Sequence, residues 1–596
     1  MRTSIEECVD LHGHTPLDQA FYPDRLLDVR CDPVRLVRKV DIVGNGASGS
    51  GRNAPPYSTL SYCWGSESEA QGQLKTTTAT FPERLSGIKF EQMPPVLQDA
   101  VSLTRRLSIP YLWIDALCIL QDPDDSTDWE KQSSVMNKIY GNSLVTLAAI
   151  SSSSCQQHFC HRDKRIVRVQ FKSDLCEDIS GVIEIRFNQS TISSPYGFGS
   201  AHGVLRQSRW RSRGWTFPES YASTRLLALS MSDAFLICPS GLQYSGKPGG
   251  FLTDFNSCLG NIAWYIKDPE YFNEHWLRLA TTYSQHAGAD AFTQPTDALP
   301  AISGIARLFS SYLRQRPGDY LAGLWRRYML HGLMWTRRRI YEQPKGLRDY
   351  ITVVPSRQCG EYVCPSWSWI GKDVAAFGYN YGIYDHRPAC RSLDGEVQQK
   401  GTQPYGKINS AVLLFHGNLA ALPFNLERDD SFSSFRTQCR PWIMRPCGTS
   451  PRDHVTNYKW EFELDWVPPP EWSGDSELRM ALLGSYTYNE DPESDEGSSE
   501  AEESESMEES GVEDSEGSEP EQDNTNRADS SGEDDNENNQ WFWGLLLYEV
   551  GPTTIQEEHG YVRVGIFRSC TRQIQPKDEA IRYFEEFGEV TQIKIF

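Results

Sequence analysis

Tyr111-Leu112-Trp113-Ile114-Asp115-Ala116-Leu117-Cys118-Ile119 is a near-continuous apolar run of strand length that carries one carboxylate. Such a run predicts a strand buried on both faces, as in a parallel sheet. Upstream, Tyr57 to Trp64 reads as a strand. Pro94 to Leu107 reads as a helix, with Leu97, Ala100, Val101 and Thr104 on one face. Downstream, Asp128 to Tyr140 predicts a second helix, with Thr127 and Glu130 at capping-box spacing and Gly141-Asn142 as its stop. Leu144 to Ile150 is a further strand. The order βαβαβ implies right-handed crossovers and a parallel sheet covered by helices, which is an α/β domain.

On the amino-terminal side, Arg25 to Val29 and Val34 to Val43 are strand-like. Gly44-Asn45-Gly46-Ala47-Ser48-Gly49 matches G-x-G-x-x-G, but Pro55-Pro56 and another strand follow it. A dinucleotide fingerprint needs a helix at that point, so the stretch reads as a flexible loop. On the carboxyl-terminal side, residues 297 to 338 read as mainly helical. Leu299, Ile302, Ala306 and Phe309 form one stripe, and Leu321, Leu324, Tyr328 and Trp335 form another. Beyond Pro365-Ser366-Trp367-Ser368-Trp369 the pattern turns to strands at Ala411 to Phe415, Lys459 to Trp466, Met480 to Tyr486, Trp541 to Val550 and Tyr561 to Phe567.

The expected organisation is therefore amino-terminal strands and a loop (1–56), a parallel-sheet βαβ domain (57–219) and a mainly helical region (220–345). A strand-rich α+β domain (346–596) follows and carries an acidic insert (490–540). That insert holds 22 Asp and Glu against the single basic residue Arg527. It has too little apolar surface to order itself, so disorder is expected there.

The formal charge of −22 is a property of this insert. Without it the chain has 57 basic residues against 58 acidic ones. A nearly neutral body lacks the basic stripe that phosphate neutralisation requires, so no nucleic-acid partner is expected. No apolar run reaches spanning length and no signal-like segment opens the chain, which points to a cytoplasmic protein. The 15 cysteines are odd in number, and Cys63, Cys118 and Cys238 sit in apolar runs, as reduced core thiols do.

Two carboxylates are candidates for catalysis. Asp115 approaches the carboxyl end of a parallel strand, where ligands bind in open α/β sheets, and a buried carboxylate costs several kcal/mol unless hydrogen-bonded; the alternative is that it caps a neighbouring loop or helix and catalyses nothing. Glu130, in the first turn of the following helix, is placed either to act over the same sheet edge or to cap its helix with Thr127. Asp122, Asp124 and Asp125 lack the glycine and terminal glutamate of a calcium loop. Cys155, His158, Cys160 and His161 are too cramped for a zinc finger, and no metal set is assigned. G-x-S-x-G, Walker A and H-E-x-x-H are all missing.

Three blocks in order resemble the fungal heterokaryon incompatibility (HET) domain family. The first is Tyr57 with Leu60, Ser61, Tyr62, Trp64 and Gly65. The second is Leu112, Trp113, Ile114, Asp115, Leu117, Cys118, Ile119, Gln121 and Asp122, followed by Asp128 and Trp129, then Met136 and Tyr140. The third is Arg213, Gly214, Trp215, Thr216 and Glu219. Pro218 stands where the family usually has glutamine. The resemblance implies nonself recognition and programmed cell death, acting through self-association or with another incompatibility protein. It also implies a remote likeness to TIR domains, some of which cleave NAD. No cofactor is implied; NAD enters as a substrate of an alternative, enzymatic reading, and an inactive paralogue is the other alternative.

Overall fold

The computed structural model describes residues 1–14, 18–44, 54–160, 166–172, 179–186, 204–205, 207–231, 234–244, 247–248, 269–286, 291–337, 346–353, 361–372, 374–377, 387–422, 425–428, 442–446, 458–469, 472, 478–488, 539–551, 559–571 and 579–596. The glycine-rich stretch after Gly44 and nearly all of the acidic insert lie outside these residues. Among the described residues, no helix is long and apolar enough to cross a membrane.

Nine strands build the first sheet: β1 (Arg25–Asp28), β2 (Arg35–Arg38), β3 (Tyr57–Ser61), β4 (Tyr111–Trp113), β5 (Val145–Ala148), β6 (Leu226–Leu229), β7 (Ala234–Cys238), β8 (Gly241–Tyr244) and β9 (Lys247–Pro248). Their spatial order is β9-β8-β7-β6-β5-β3-β4-β1-β2. β4, β3, β5 and β6 run parallel, as the alternation of strands and helices requires. Antiparallel strands extend both edges, β1 pairing with β4 and β7 with β6. The strands before residue 57 and those after residue 219 thus complete one sheet with the βαβαβ unit.

The helices that matter for the site are α1 (Arg2–His12), α2 (Pro95–Arg106), α3 (Asp115–Cys118), α4 (Thr127–Ser133), α5 (Met136–Gly141) and α6 (Thr216–Ala222). α2 packs the expected face, with Leu97, Ala100, Val101 and Thr104 all buried. β3 is buried along its whole length although four of its five residues carry hydroxyls, the Tyr57 phenol donating to Ile139 O at 2.6 Å. Each hydroxyl is satisfied from a neighbouring element, as burial demands. Ser58 bonds Thr104 at 2.9 Å, and Thr59 bonds Thr146 at 2.8 Å, which in turn bonds Ser223 at 2.5 Å.

The structure corrects several sequence expectations. The run from Tyr111 is not one strand: β4 stops at Trp113, Ile114 is still extended, and α3 starts at Asp115. The apolar residues on both sides of Asp115 stay buried, so periodicity could not separate a strand from a buried helical turn. The carboxylate decides the break, because Asp115 Oδ1 accepts the Ala116 N–H at 2.7 Å and a helical turn closes behind it. Likewise Lys39–Val43 is helix, not strand. The expected helix from Asp128 to Tyr140 is two helices, α4 and α5, interrupted at Ser134-Val135. The stripe from Leu321 to Trp335 is not one helix but short strands (Tyr320–Leu321, Leu324–Trp325, Trp335–Arg337) around a one-turn helix, Met329–Leu333.

The other stripe holds, with Leu299, Ile302, Ala306 and Phe309 buried on the helix Ala298–Leu313. Beyond it lies a ten-stranded, almost wholly antiparallel sheet. Five of its strands close a ring: Leu478–Tyr488 pairs with Ile408–Ala421, which pairs with Glu589–Ile595, then Gly560–Thr571, then Asn539–Val550, which returns to Leu478–Tyr488. Closure removes exposed strand edges. Tyr488 and Asn539 are register partners, so the acidic insert leaves the barrel from the end of one hairpin. Trp367 and Trp369 lock the barrel to the rest, their indoles donating to Ile595 O at 3.0 Å and Gly323 O at 2.8 Å.

Candidate functional site

A cleft of about 550 Å³ opens beyond the carboxyl ends of β3 and β4. Each sequence block supplies part of its wall. Tyr62, Trp64 and Gly65 leave β3, and Asp115 and Gln121 follow β4. Trp129 and Met136 come from α4 and α5, and Arg213, Trp215 and Glu219 from the start of α6. Phe292 and Asp297 close it from outside the βαβαβ unit.

Asp115 is fixed from two sides. Its Oδ2 accepts the Trp64 indole N–H at 3.1 Å, while its Oδ1 takes the Ala116 N–H. Burial raises its pKa above the ordinary carboxylate range, against the Ala116 N–H and the positive charge of Arg213. Glu219 is more deeply enclosed, at 6% exposure. The Ser61 hydroxyl donates to its Oε2, and Trp210 Nε1 donates to the same Ser61 oxygen at 2.7 Å. Burial pushes Glu219 up to about 8; the Asp115 charge adds to the rise, and Ser61 and Arg213 oppose it. Two carboxylates in one cleft, both with pKa values raised by burial, make it a candidate functional site.

Tyr62 is buried beside Asp115, and burial, reinforced by the Asp115 charge, holds its phenol pKa well above the ordinary value. Arg213 lies near both carboxylates, and Lys75 sits 5.0 Å over the Trp64 ring. Trp215 stands edge-on to Trp129 at 5.7 Å and to Phe292 at 6.4 Å. Cys63 also lines the cleft, but burial pushes its thiol up to about 11, which leaves it protonated and poorly nucleophilic at neutral pH.

Gly214 is required by this wall. A Cβ there would meet the Phe292 ring at 2.0 Å, and the Gly214 N–H bonds Ala291 O at 2.9 Å. The arginine, glycine and tryptophan of the third block thus form a seat for a residue more than seventy positions later.

The remaining sequence-selected residues have other places. Leu60, Trp113, Ile114 and Cys118 are core. Tyr140 donates to Leu60 O at 3.0 Å and packs edge-on to Trp113. Asp122 holds the Thr78 N–H and hydroxyl. Glu130 does not cap with Thr127. It accepts the Ser126 hydroxyl at 2.9 Å and lines a separate cleft of about 180 Å³ with Lys400 and Lys407. Trp129 stands between the two clefts and lines both. His158 pairs with Asp99 at 2.9 Å, Cys155 is buried, and His161 lies outside the described residues.

Sequence reasoning named Glu219 only as a motif residue and missed it as the second carboxylate of the site. Phe292 and Asp297 had no local signal at all. Glu219 had a weak one, an acid in the first turn of a helix behind a polar-aromatic motif.

Residues 57–219 match the family model of the heterokaryon incompatibility protein (HET), and this segment is a HET domain. The match ends at Glu219, the residue that completes the carboxylate pair. No curated protein and no solved structure matches the chain.

Proposed function

We propose that this protein is a cell-death effector of the heterokaryon incompatibility type whose output runs through the cleft of its HET domain. There a nicotinamide dinucleotide is bound and its N-glycosidic bond is hydrolysed. The observation that carries this reading is the convergence of Asp115 and Glu219, two carboxylates whose pKa values burial raises, on one aromatic-walled cleft beside Arg213.

The volume suits part of a dinucleotide. Trp215 and Phe292 offer ring faces, Arg209 and Arg213 suit a pyrophosphate, and ionised carboxylates suit a cationic pyridinium. In the reaction the bond from ribose C1′ to the pyridinium nitrogen breaks, and its electron pair neutralises the leaving nicotinamide. The ionised carboxylate of Glu219 stabilises the cationic ribosyl centre. Water adds to C1′ and loses a proton to a carboxylate, giving ADP-ribose, nicotinamide and one proton. No general acid is needed, because the leaving group departs neutral.

The test is incubation of the purified full chain with NAD and measurement of released nicotinamide. Glu219→Gln should lower turnover by about 10²–10⁴-fold, while Glu130→Ala, on the other cleft, should retain it. Toxic expression with cellular NAD unchanged, and toxicity that survives in Glu219→Gln, would remove the enzymatic reading and leave an effector acting through self-association.

A further inference from the structure

We infer that Cys8, His12, His14 and Cys238 bind a zinc ion that clips the amino-terminal helix to the end of β7 in the first sheet. Cys8 and His12 are four residues apart on α1 and therefore share a face. Gly13 ends that helix in the left-handed region, at φ 59°, and the reversal brings His14 back beside them. Cys238 is the last residue of β7, more than two hundred positions away.

One ligand atom from each of the four residues lies within 4.8 Å of all the others. Tetrahedral zinc with bonds of about 2.0–2.3 Å sets its ligand atoms roughly 3.3–3.8 Å apart. Small side-chain rotations therefore suffice. Cys238 Sγ already stands 3.4 Å from His12 Nδ1. Two thiolates and two imidazoles are the donor set of a closed, structural zinc site.

The surroundings fit the same ion. Arg225 Nε donates to Cys8 Sγ at 3.2 Å, as an outer-shell donor to a ligating thiolate does. Ser240 Oγ lies 3.5 Å from His14 Nε2, leaving the other ring nitrogen for the metal. Arg225 immediately precedes β6 and its carbonyl accepts the Thr146 N–H of β5, so the ion is tied to the parallel strands that hold the cleft. The sequence hid the set because Cys8-x3-His12-x-His14 is completed only by a residue at the end of a distant strand.

Full-length protein purified in reducing buffer without chelator should contain about one zinc per chain by elemental mass spectrometry. His14→Ala and Cys8→Ser should each bring it to background, whereas Cys160→Ser, in the other Cys- and His-rich stretch, should keep it. Replacement by Co²⁺ in the unaltered chain should give a thiolate-to-cobalt charge-transfer band and intense tetrahedral visible bands, a readout independent of variants that fail to fold. Absence of stoichiometric metal, a Cys8–Cys238 disulfide in its place, or zinc that persists in both His14→Ala and Cys8→Ser would overturn the assignment.

Discussion

The Ser61 hydroxyl, on the last residue of β3, donates to Glu219 Oε2 on α6, 158 residues away, and Trp210 Nε1 in turn donates to Ser61. This chain of donors joins the first and third blocks of the HET domain and presents the second carboxylate of the cleft. Asp115, from the middle block, completes the pair through Trp64.

Glu219 makes stability fall with rising pH. Its folded pKa is about 8 against an ordinary value of 4.5, so between these values the folded state binds more protons than the unfolded one. The penalty is absent below the lower value and complete above the upper one, at about 5 kcal/mol at most. Glu219→Gln should lack this dependence. Urea unfolding between about pH 5 and pH 9 should show the variant gaining on the native chain by several kcal/mol; parallel curves would contradict the buried, protonated glutamate.

If NAD is the substrate, kcat/KM should rise about tenfold per pH unit below about 8 and level off above it, since the ionised Glu219 is the reactive form. A profile flat from about pH 6 to pH 9 would rule out that role.

Gly214→Ala should destabilise the protein by about 1–3 kcal/mol, because the added methyl overlaps the Phe292 ring and a packed wall relaxes only partly. Phe292→Ala should recover part of that loss in a double-mutant cycle. Additive effects would show that the two residues do not touch.

In the carboxyl-terminal barrel, Arg563 is fully buried and pairs with Asp465 at 3.1 Å. It also donates to Leu333 O and Trp335 O, and stacks 3.4 Å over the Trp335 ring. Removing one partner of such a pair costs about 3–5 kcal/mol, so Arg563→Ala should shift the unfolding midpoint strongly. Arg2→Ala breaks an exposed pair with Glu6 and should cost less than about 1 kcal/mol. Equal shifts would refute the importance assigned to burial.

Local pattern was enough to read α2 and the helix Ala298–Leu313 from an apolar stripe, and β3 and β5 as short buried runs of strand length. It failed at Asp115 and at Leu321 to Trp335, where nearly all apolar residues are buried and short strands alternate with single helical turns. Apolar residues report burial there but not backbone shape.

The sequence by itself determined the parallel α/β core, the three blocks that identify a HET domain, and Asp115 as a carboxylate at a sheet end. Those are properties of residue type and spacing along one chain. Only the tertiary structure decided that Glu219, not Glu130, shares the cleft with Asp115, that Phe292 sits on Gly214, and that Cys238 meets the helix carrying Cys8. Each depends on contacts between residues from about 80 to 230 positions apart. Burial then sets their chemistry, since a carboxylate's proton affinity follows its surroundings and not its place in the sequence.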